Sequence, residues 1–160
     1  MARAPCIRRL RPYVVTASKG ILVKYRFLIV EDGLLIAMDL EEAIERSGHE
    51  VVGIAPDMKV ALNYAKDADI AFVDVRLADG ETGPQLARIL VERGILVVFV
   101  TGNPMLVEGR DAGALGVIAK PLTHQAALDV IQFAVDWKNG VTRNPPGRLR
   151  LFKPLATPGN

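Results

Sequence analysis

Five short apolar runs, each followed by a segment with helical spacing, most constrain how this chain can fold. The runs cover residues 25–30, 50–55, 70–73, 95–100 and 115–119. Helical patterns follow at about residues 34–44, 58–66, 84–93 and 123–138, with a short, glycine-limited pattern after Asn103. Strands that are apolar throughout and separated by helices predict a parallel sheet covered on both faces. We therefore expect an α/β fold built from five β-α units.

Charge is distributed unevenly along the 160 residues. All 18 acidic residues lie between Glu31 and Asp136, so residues 27–137 carry a net charge of −10 and the two flanks carry +12. The pattern predicts an acidic domain with two basic flanks. The net charge of +2 hides this division and is poor evidence for a nucleic-acid-binding fold, so no direct nucleic-acid partner is expected.

The flanks divide the chain into three predicted segments. Residues 1–24 form a basic N-terminal extension, residues 25–139 form the domain, and residues 140–160 form a basic tail that contains proline and glycine. We expect the extension to be flexible, or residues 1–22 to precede the natural start, because Val23 begins a run typical of a protein start.

The basic tail has a default interpretation and an alternative. The default is a solvated, disordered flank. Leu149, Leu151 and Phe152 alternate with basic residues, however, and this pattern allows them to dock on the acidic domain or on a partner.

Cysteine and hydropathy patterns limit the classes of protein. Cys6 is the only cysteine, which excludes an intrachain disulfide and a cysteine-based zinc site. No apolar run approaches the ~20 residues of a membrane span, and no signal peptide is recognised, so we expect a cytoplasmic protein without membrane contact. His49 and His124 lack metal-ligand spacing and are expected on the surface.

Polar residues follow the ends of four of the five predicted strands. They are Glu31 and Asp32, Asp74, Thr101 and Lys120. In open parallel sheets the functional site lies at the carboxyl ends of the strands. We therefore expect these five side chains to meet at one edge of the sheet.

This combination of groups suits phosphoryl transfer. Clustered carboxylates repel one another, and a divalent cation such as Mg²⁺ (or Mn²⁺) removes that cost. Asp74 is the best candidate for a nucleophile that forms an acyl phosphate. Glu31 and Asp32 would hold the metal, and Thr101 and Lys120 would bind phosphate oxygens.

Four motifs contain these residues. They are L-I-V-E-D (28–32), F-V-D-V-R-L (72–77) with D-G-E-T-G (79–83), F-V-T-G (99–102) and I-A-K-P (118–121). Together they resemble the receiver domain of two-component response regulators. The resemblance implies a doubly wound, flavodoxin-like (βα)5 fold with a five-stranded parallel sheet in the order 2-1-3-4-5. The stretches around residues 28–40 and 48–55 are most similar to receivers of alphaproteobacterial stress regulators.

The resemblance also implies roles for single residues. Asp74 would accept a phosphoryl group from a histidine kinase or a His phosphotransfer protein. The backbone carbonyl of Arg76 would join Glu31, Asp32 and Asp74 as a metal ligand. The Lys120–Pro121 bond would be cis, a geometry that only an X-Pro bond adopts at low cost.

The sequence departs from the family pattern at one position. Many receivers carry an aromatic residue three positions before the lysine, and Val117 stands there. Val117 either alters the signalling switch or packs in the core, and Gly102 leaves the space after Thr101 open. Arg76 and Asn103 occupy positions that tune phosphate lifetime in the family, or they are ordinary loop residues.

Three functions stay open from the sequence. The leading one is a stand-alone receiver, a monomer or weak dimer, that acts through an unknown downstream protein or as a phosphate sink and is not a true enzyme. An aspartate phosphatase of the haloacid-dehalogenase type is the alternative, but it needs a second Asp where Arg76 stands. The third is a constitutive, non-phosphorylated receiver-like binding module.

Overall fold

The computed structural model describes residues 13–17 and 20–153, which form two sheets. The larger sheet has six strands in the order β4-β3-β5-β6-β7-β8, and β1 and β2 form a separate pair. The strands are β1 (Tyr13–Ala17), β2 (Gly20–Lys24), β3 (Arg26–Val30), β4 (Glu50–Ala55), β5 (Ile70–Val73), β6 (Leu96–Thr101), β7 (Gly116–Ala119) and β8 (Leu149–Leu151).

Four α-helices connect or follow the parallel strands in the described part of the chain. They are α1 (Leu34–Arg46), α2 (Met58–Tyr64), α3 (Gly83–Glu92) and α4 (His124–Lys138), with 3-10 turns at Ala65–Asp67 and Pro104–Val107. The hydroxyl of Thr123 accepts a hydrogen bond from the backbone N–H of Ala126 at 3.2 Å, which makes Thr123 the N-cap of α4. None of these helices combines the length and the apolar character needed to cross a bilayer.

The predicted parallel sheet is confirmed. Strands β3 to β7 pair in parallel, and their order corresponds to 2-1-3-4-5 for the five predicted strands. Successive strand residues point to opposite faces. Ile29 and Phe72 therefore pack with α1 and α4, whereas Val30 and Phe99 pack with α2 and α3.

The segment after β6 differs from the prediction. A short α-helix was expected after Asn103, but the structure has only the 3-10 turn Pro104–Val107. Positive φ angles of 69° at Gly109 and 84° at Gly113 interrupt any longer helix. One face of the sheet is consequently covered without a full helix at this point.

The C-terminal tail supplies a sixth strand that was not predicted. β8 pairs antiparallel with β7, and Leu149 is buried, so the expectation of a solvated flank is wrong for this strand. The alternative expectation, that Leu149, Leu151 and Phe152 dock on the acidic domain, agrees with the structure. Strand β7 would otherwise expose unpaired backbone groups at the sheet edge. Gly116 permits the close approach, since a Cβ there would lie 3.1 Å from the carbonyl carbon of Arg150 and closer still to its oxygen.

The N-terminal extension also contains structure. Strands β1 and β2 form an antiparallel pair within the segment 1–24 that the sequence analysis expected to be flexible. Residues 1–12 lie outside the described residues. That residues 1–22 precede the natural start stays a prediction.

His49 is half-buried, so the prediction that it lies on the surface is wrong, whereas His124 is exposed as predicted. The His49 ring lies 5.6 Å from the ring of Phe27, and its Nδ1 accepts a hydrogen bond from the backbone N–H of Tyr25 at 3.3 Å. Burial, with a smaller contribution from the charge of Lys24, lowers the pKa of His49 below 6.5. The neutral imidazole is therefore the form that fits this site.

Acidification should destabilise the fold through His49. Because the pKa of His49 is lower in the folded state, the unfolded state takes up the proton first as the pH falls through about 6.5, and the free energy of unfolding decreases. Urea denaturation between about pH 7.5 and 5.5 should show a shallower pH dependence for His49→Gln. The exposed His124→Gln is the matched control. Equal pH dependences for the native protein and His49→Gln would refute this assignment.

Candidate functional site

The carboxyl ends of four neighbouring strands bring the predicted polar residues together. Glu31 follows β3, Asp74 follows β5, Thr101 ends β6 and Lys120 follows β7. Glu31, Asp74 and Thr101 are only 4%, 6% and 2% exposed. Buried polar side chains need partners, so the contacts among these groups hold the site together. Asp32 is exposed beside them.

Lys120 lies at the centre of the cluster. Its Nζ is 2.6 Å from Oδ2 of Asp74 and 2.6 Å from Oε2 of Glu31. Its backbone N–H donates to the carbonyl of Thr101 at 2.9 Å, and the Lys120–Pro121 bond is cis, as the resemblance implied. The single positive charge of the ammonium therefore reduces the repulsion between the two carboxylates.

Burial and mutual contact shift the pKa values of Glu31 and Lys120. Burial raises the pKa of Glu31 more than the hydrogen bonds from Lys120 and the Gly33 backbone lower it. For Lys120, burial acts against the charged form, but hydrogen bonds and charges from Asp74 and Glu31 outweigh it and raise the pKa. The lysine is thus fixed as a cation at neutral pH.

The acidic residues also have the arrangement of a cation site. Glu31, Asp32 and Asp74 each offer a carboxylate oxygen, and these oxygens lie within 4.8 Å of one another. The other Glu31 oxygen, Oε1, accepts from the backbone N–H of Gly33 at 2.9 Å, which fixes the carboxylate plane. An all-oxygen set with one exposed member suits a hard divalent cation that keeps several water ligands.

Arg76 and Asn103 lie at the rim of the cluster. Both side chains are exposed. The backbone N–H of Arg76 is 3.4 Å from Oδ1 of Asp74, and the backbone N–H of Asn103 donates to the Thr101 hydroxyl oxygen at 3.3 Å. The Asn103 side chain caps the following turn by accepting from the N–H of Met105 at 3.2 Å. Their backbones contact the site while their side chains face solvent.

Val117 and Gly102 occupy very different surroundings. Val117 is 2% exposed and packs in the core with the residues of α3, as the core-packing alternative expected. Gly102 is exposed, and a Cβ there would meet no atom within 4 Å. The backbone next to Thr101 therefore has free space around it. Position 117 holds a buried valine and no aromatic ring.

Gly83 contributes to the site in a way that the sequence analysis did not single out. A Cβ on Gly83 would overlap the carbonyl oxygen of Asp74 and lie 2.7 Å from the Cα of Val75. Helix α3 begins at Gly83, so this contact sets the start of the helix against the backbone of Asp74. The sequence signal that could have indicated this close contact is the second glycine of the D-G-E-T-G motif.

Comparison with known proteins gives consistent results. The profile of the family described as "Response regulator receiver domain" matches residues 27–132. The transcriptional regulatory protein PdtaR of Mycobacterium tuberculosis is 30% identical over 125 residues, which are 75% of this chain and 61% of PdtaR. The phyllosphere-induced regulator PhyR of Methylorubrum extorquens is 32% identical over 121 residues, which are 72% of this chain and 45% of PhyR. The chain thus spans less than two thirds of the length of these relatives.

A solved structure shows the same fold. The CheY-like receiver domain protein of Methanospirillum hungatei matches with a TM-score of 0.66 and 27% identity. The match covers 73% of this chain and 98% of that protein. The similarity therefore extends over a whole receiver domain.

Gly83→Ala should destabilise the protein although alanine normally favours a helix. The new methyl group would overlap the Asp74 backbone, and overpacking of this kind costs about 1–3 kcal/mol. Gly102→Ala is the matched control, because its methyl group would enter open space. Urea denaturation measures both variants. Equal stabilities of the two variants would show that α3 does not depend on this close contact.

Proposed function

The chain belongs to the response regulator receiver family, as its motifs indicated, and on that premise we propose that it is a phosphorylation-dependent signalling module. Asp74 accepts the phosphoryl group from the phosphohistidine of a histidine kinase or a His phosphotransfer protein. The observation that carries this proposal is the Lys120 ammonium, held 2.6 Å from both Asp74 and Glu31 at the edge of the sheet.

The transfer is a displacement at phosphorus. A carboxylate oxygen of Asp74 attacks the phosphorus, the P–N bond to the donor histidine breaks, and the electron pair stays on the imidazole. Negative charge on the transferring oxygens needs positioned donors. Lys120 supplies a fixed positive charge, and the Thr101 hydroxyl is able to donate to a second oxygen.

A divalent cation completes the charge balance of the proposed site. Mg²⁺ or Mn²⁺ would be held by the carboxylates of Glu31, Asp32 and Asp74, with the Arg76 carbonyl as a further ligand. When bound, the cation supplies neutralisation of the phosphoryl oxygens. Asp32 is the exposed member of the set. Its carboxylate is therefore best placed to replace one water ligand of a hydrated cation that enters the site.

The phosphatase alternative has less support. An aspartate phosphatase of the haloacid-dehalogenase type needs an acid/base carboxyl two residues after the nucleophile. Arg76 stands there, its side chain is exposed, and a guanidinium does not release a proton at neutral pH. We therefore assign self-dephosphorylation, and not turnover of phosphoesters, to this site.

The surface next to the site suits a protein donor. Three large apolar side chains at the start of α1 are exposed, namely Leu34 (69%), Leu35 (77%) and Met38 (51%). Other residues of the same helix line a groove of about 670 Å³ between α1 and α4 that reaches Lys120 and Pro121. A donor that docks here brings its phosphohistidine to the edge where Asp74 lies. The receiver then acts through a separate downstream protein or serves as a phosphate sink.

Acetyl phosphate should separate the proposed functions. With Mg²⁺, mass spectrometry should show one adduct of roughly 80 Da on the native protein, and Asp74→Asn should show none. Omission of the cation should reduce the adduct strongly, because the carboxylates then repel the incoming phosphate. Rapid turnover of many phosphoesters would support the phosphatase, and no adduct at all would leave the constitutive module.

Leu35→Ser should weaken transfer from a protein donor without affecting acetyl phosphate. Loss of a central apolar contact at an interface costs enough to reduce the transfer rate roughly tenfold at low donor concentration. Val141→Ser is the control, since Val141 is also an exposed apolar residue (49%) but follows the far end of α4. The initial rate is measured with phosphorylated histidine kinases of the same organism. Equal rates for both variants would remove α1 from the docking surface.

A further inference from the structure

The C-terminal segment 141–153 is attached to the domain at several points. Arg143 Nε lies 2.8 Å from Oδ2 of Asp136 on α4. Strand β8 pairs along β7, and the backbone N–H of Phe152 donates to the carbonyl of Leu115 at 3.1 Å. The Phe152 ring packs edge-on against Phe99 with centroids 6.2 Å apart. The segment is therefore a docked part of the fold.

Arg150 connects this segment to the turn that follows Thr101. Its guanidinium donates to Oε1 of Glu108 at 3.1 Å and to the carbonyl oxygen of Pro104 at 3.3 Å. Pro104 begins the 3-10 turn that Asn103 caps, and the Asn103 N–H donates to the Thr101 hydroxyl oxygen. A short series of contacts thus leads from the site hydroxyl to β8.

The same turn is held on its other side. Arg110 lies 3.3 Å from Oε1 of Glu81, which belongs to the loop between Asp74 and α3. Arg110 also donates to the carbonyl oxygen of Leu106 at 3.5 Å. The turn 104–107 therefore lies between the loop of the phosphoacceptor and the C-terminal strand.

We propose that the docked segment 141–153 reads the phosphorylation state of Asp74, with Arg150 as the positioning residue. This inference rests on the proposed function. A phosphoryl group on Asp74 adds charge and acceptor oxygens beside Thr101. When the Thr101 hydroxyl donates to it, Gly102 and Asn103 follow into the free space around Gly102, and the turn leaves Arg150. Strand β8 then loosens from β7.

Thermodynamic reciprocity predicts whether a substitution of Arg150 raises or lowers the affinity for a phosphoryl mimic. If phosphorylation weakens the hold of Arg150, loss of that hold must favour the phosphorylated arrangement by the same factor. The side chains of Arg150 and Glu108 are 50% and 49% exposed, so their ion pair is a modest one. We expect a two- to fivefold effect on the affinity for a phosphoryl mimic, roughly the range of such exposed pairs.

Hydrogen exchange with beryllofluoride as the phosphoryl mimic tests the inference in the full chain. In the presence of Mg²⁺ and beryllofluoride, peptides that contain residues 149–151 should exchange faster, while peptides from β3 and β5 should keep or gain protection. A rise in melting temperature reports binding independently. Binding without any change at β8 overturns the inference alone. Absence of binding overturns the proposed function together with it.

Variants of Arg150 distinguish positioning from general stability. Arg150→Ala should bind beryllofluoride two- to fivefold more tightly, whereas the control Arg148→Ala, an exposed arginine of the same segment, should not change the affinity. Arg150→Glu combined with Glu108→Arg should move the affinity back toward the native value, because it restores the ion pair but not the hydrogen bond to the Pro104 carbonyl. Equal affinities of Arg150→Ala and Arg148→Ala, or an exchanged pair that behaves like Arg150→Glu alone, would overturn the inference.

Discussion

The contacts of the Lys120 ammonium with Asp74 and Glu31 are the interaction on which the rest of the structure depends. Two carboxylates are buried at neighbouring strand ends, and each would be costly without a positive partner. The lysine meets both at 2.6 Å only because β3, β5 and β7 run parallel and end at one edge. The fold therefore concentrates negative charge at this edge, and the Lys120 ammonium offsets part of it.

Much of this arrangement could be predicted because it depends on local patterns. The five parallel strands follow from apolar runs, and the positions of Asp74, Thr101 and Lys120 follow from the rule that parallel strands deliver their ends to one edge. Strand β8 could not be predicted, because three residues after a proline-rich stretch carry little signal. Its formation depends on an uncovered β7 edge and on the missing side chain of Gly116, which are properties of the folded sheet.

The docked tail places an aromatic ring near position 117, where the chain itself has a valine. Val117 pairs with Phe99 in the register of β6 and β7, and Phe152 packs against that same Phe99. The C-terminal segment thus adds a second aromatic ring beside Phe99 on this face of the sheet. Phe152 directly follows the three-residue edge strand β8 and is only partly buried, whereas Phe99 is fully buried, so the surroundings of the Phe152 ring are easier to change.

The tail is attached to the domain by apolar contacts, by strand pairing and by contacts between its basic residues and acidic residues of the domain. The apolar contacts of Leu149 and Phe152 and the pairing with β7 supply most of the attachment. The exposed pair of Arg150 with Glu108 adds a small, screened contribution. Under the proposed coupling, a phosphoryl group at Asp74 would only have to outweigh this small contribution. The basic tail is therefore held mainly by strand pairing and apolar packing, with a weak ion pair that the proposed switch would break.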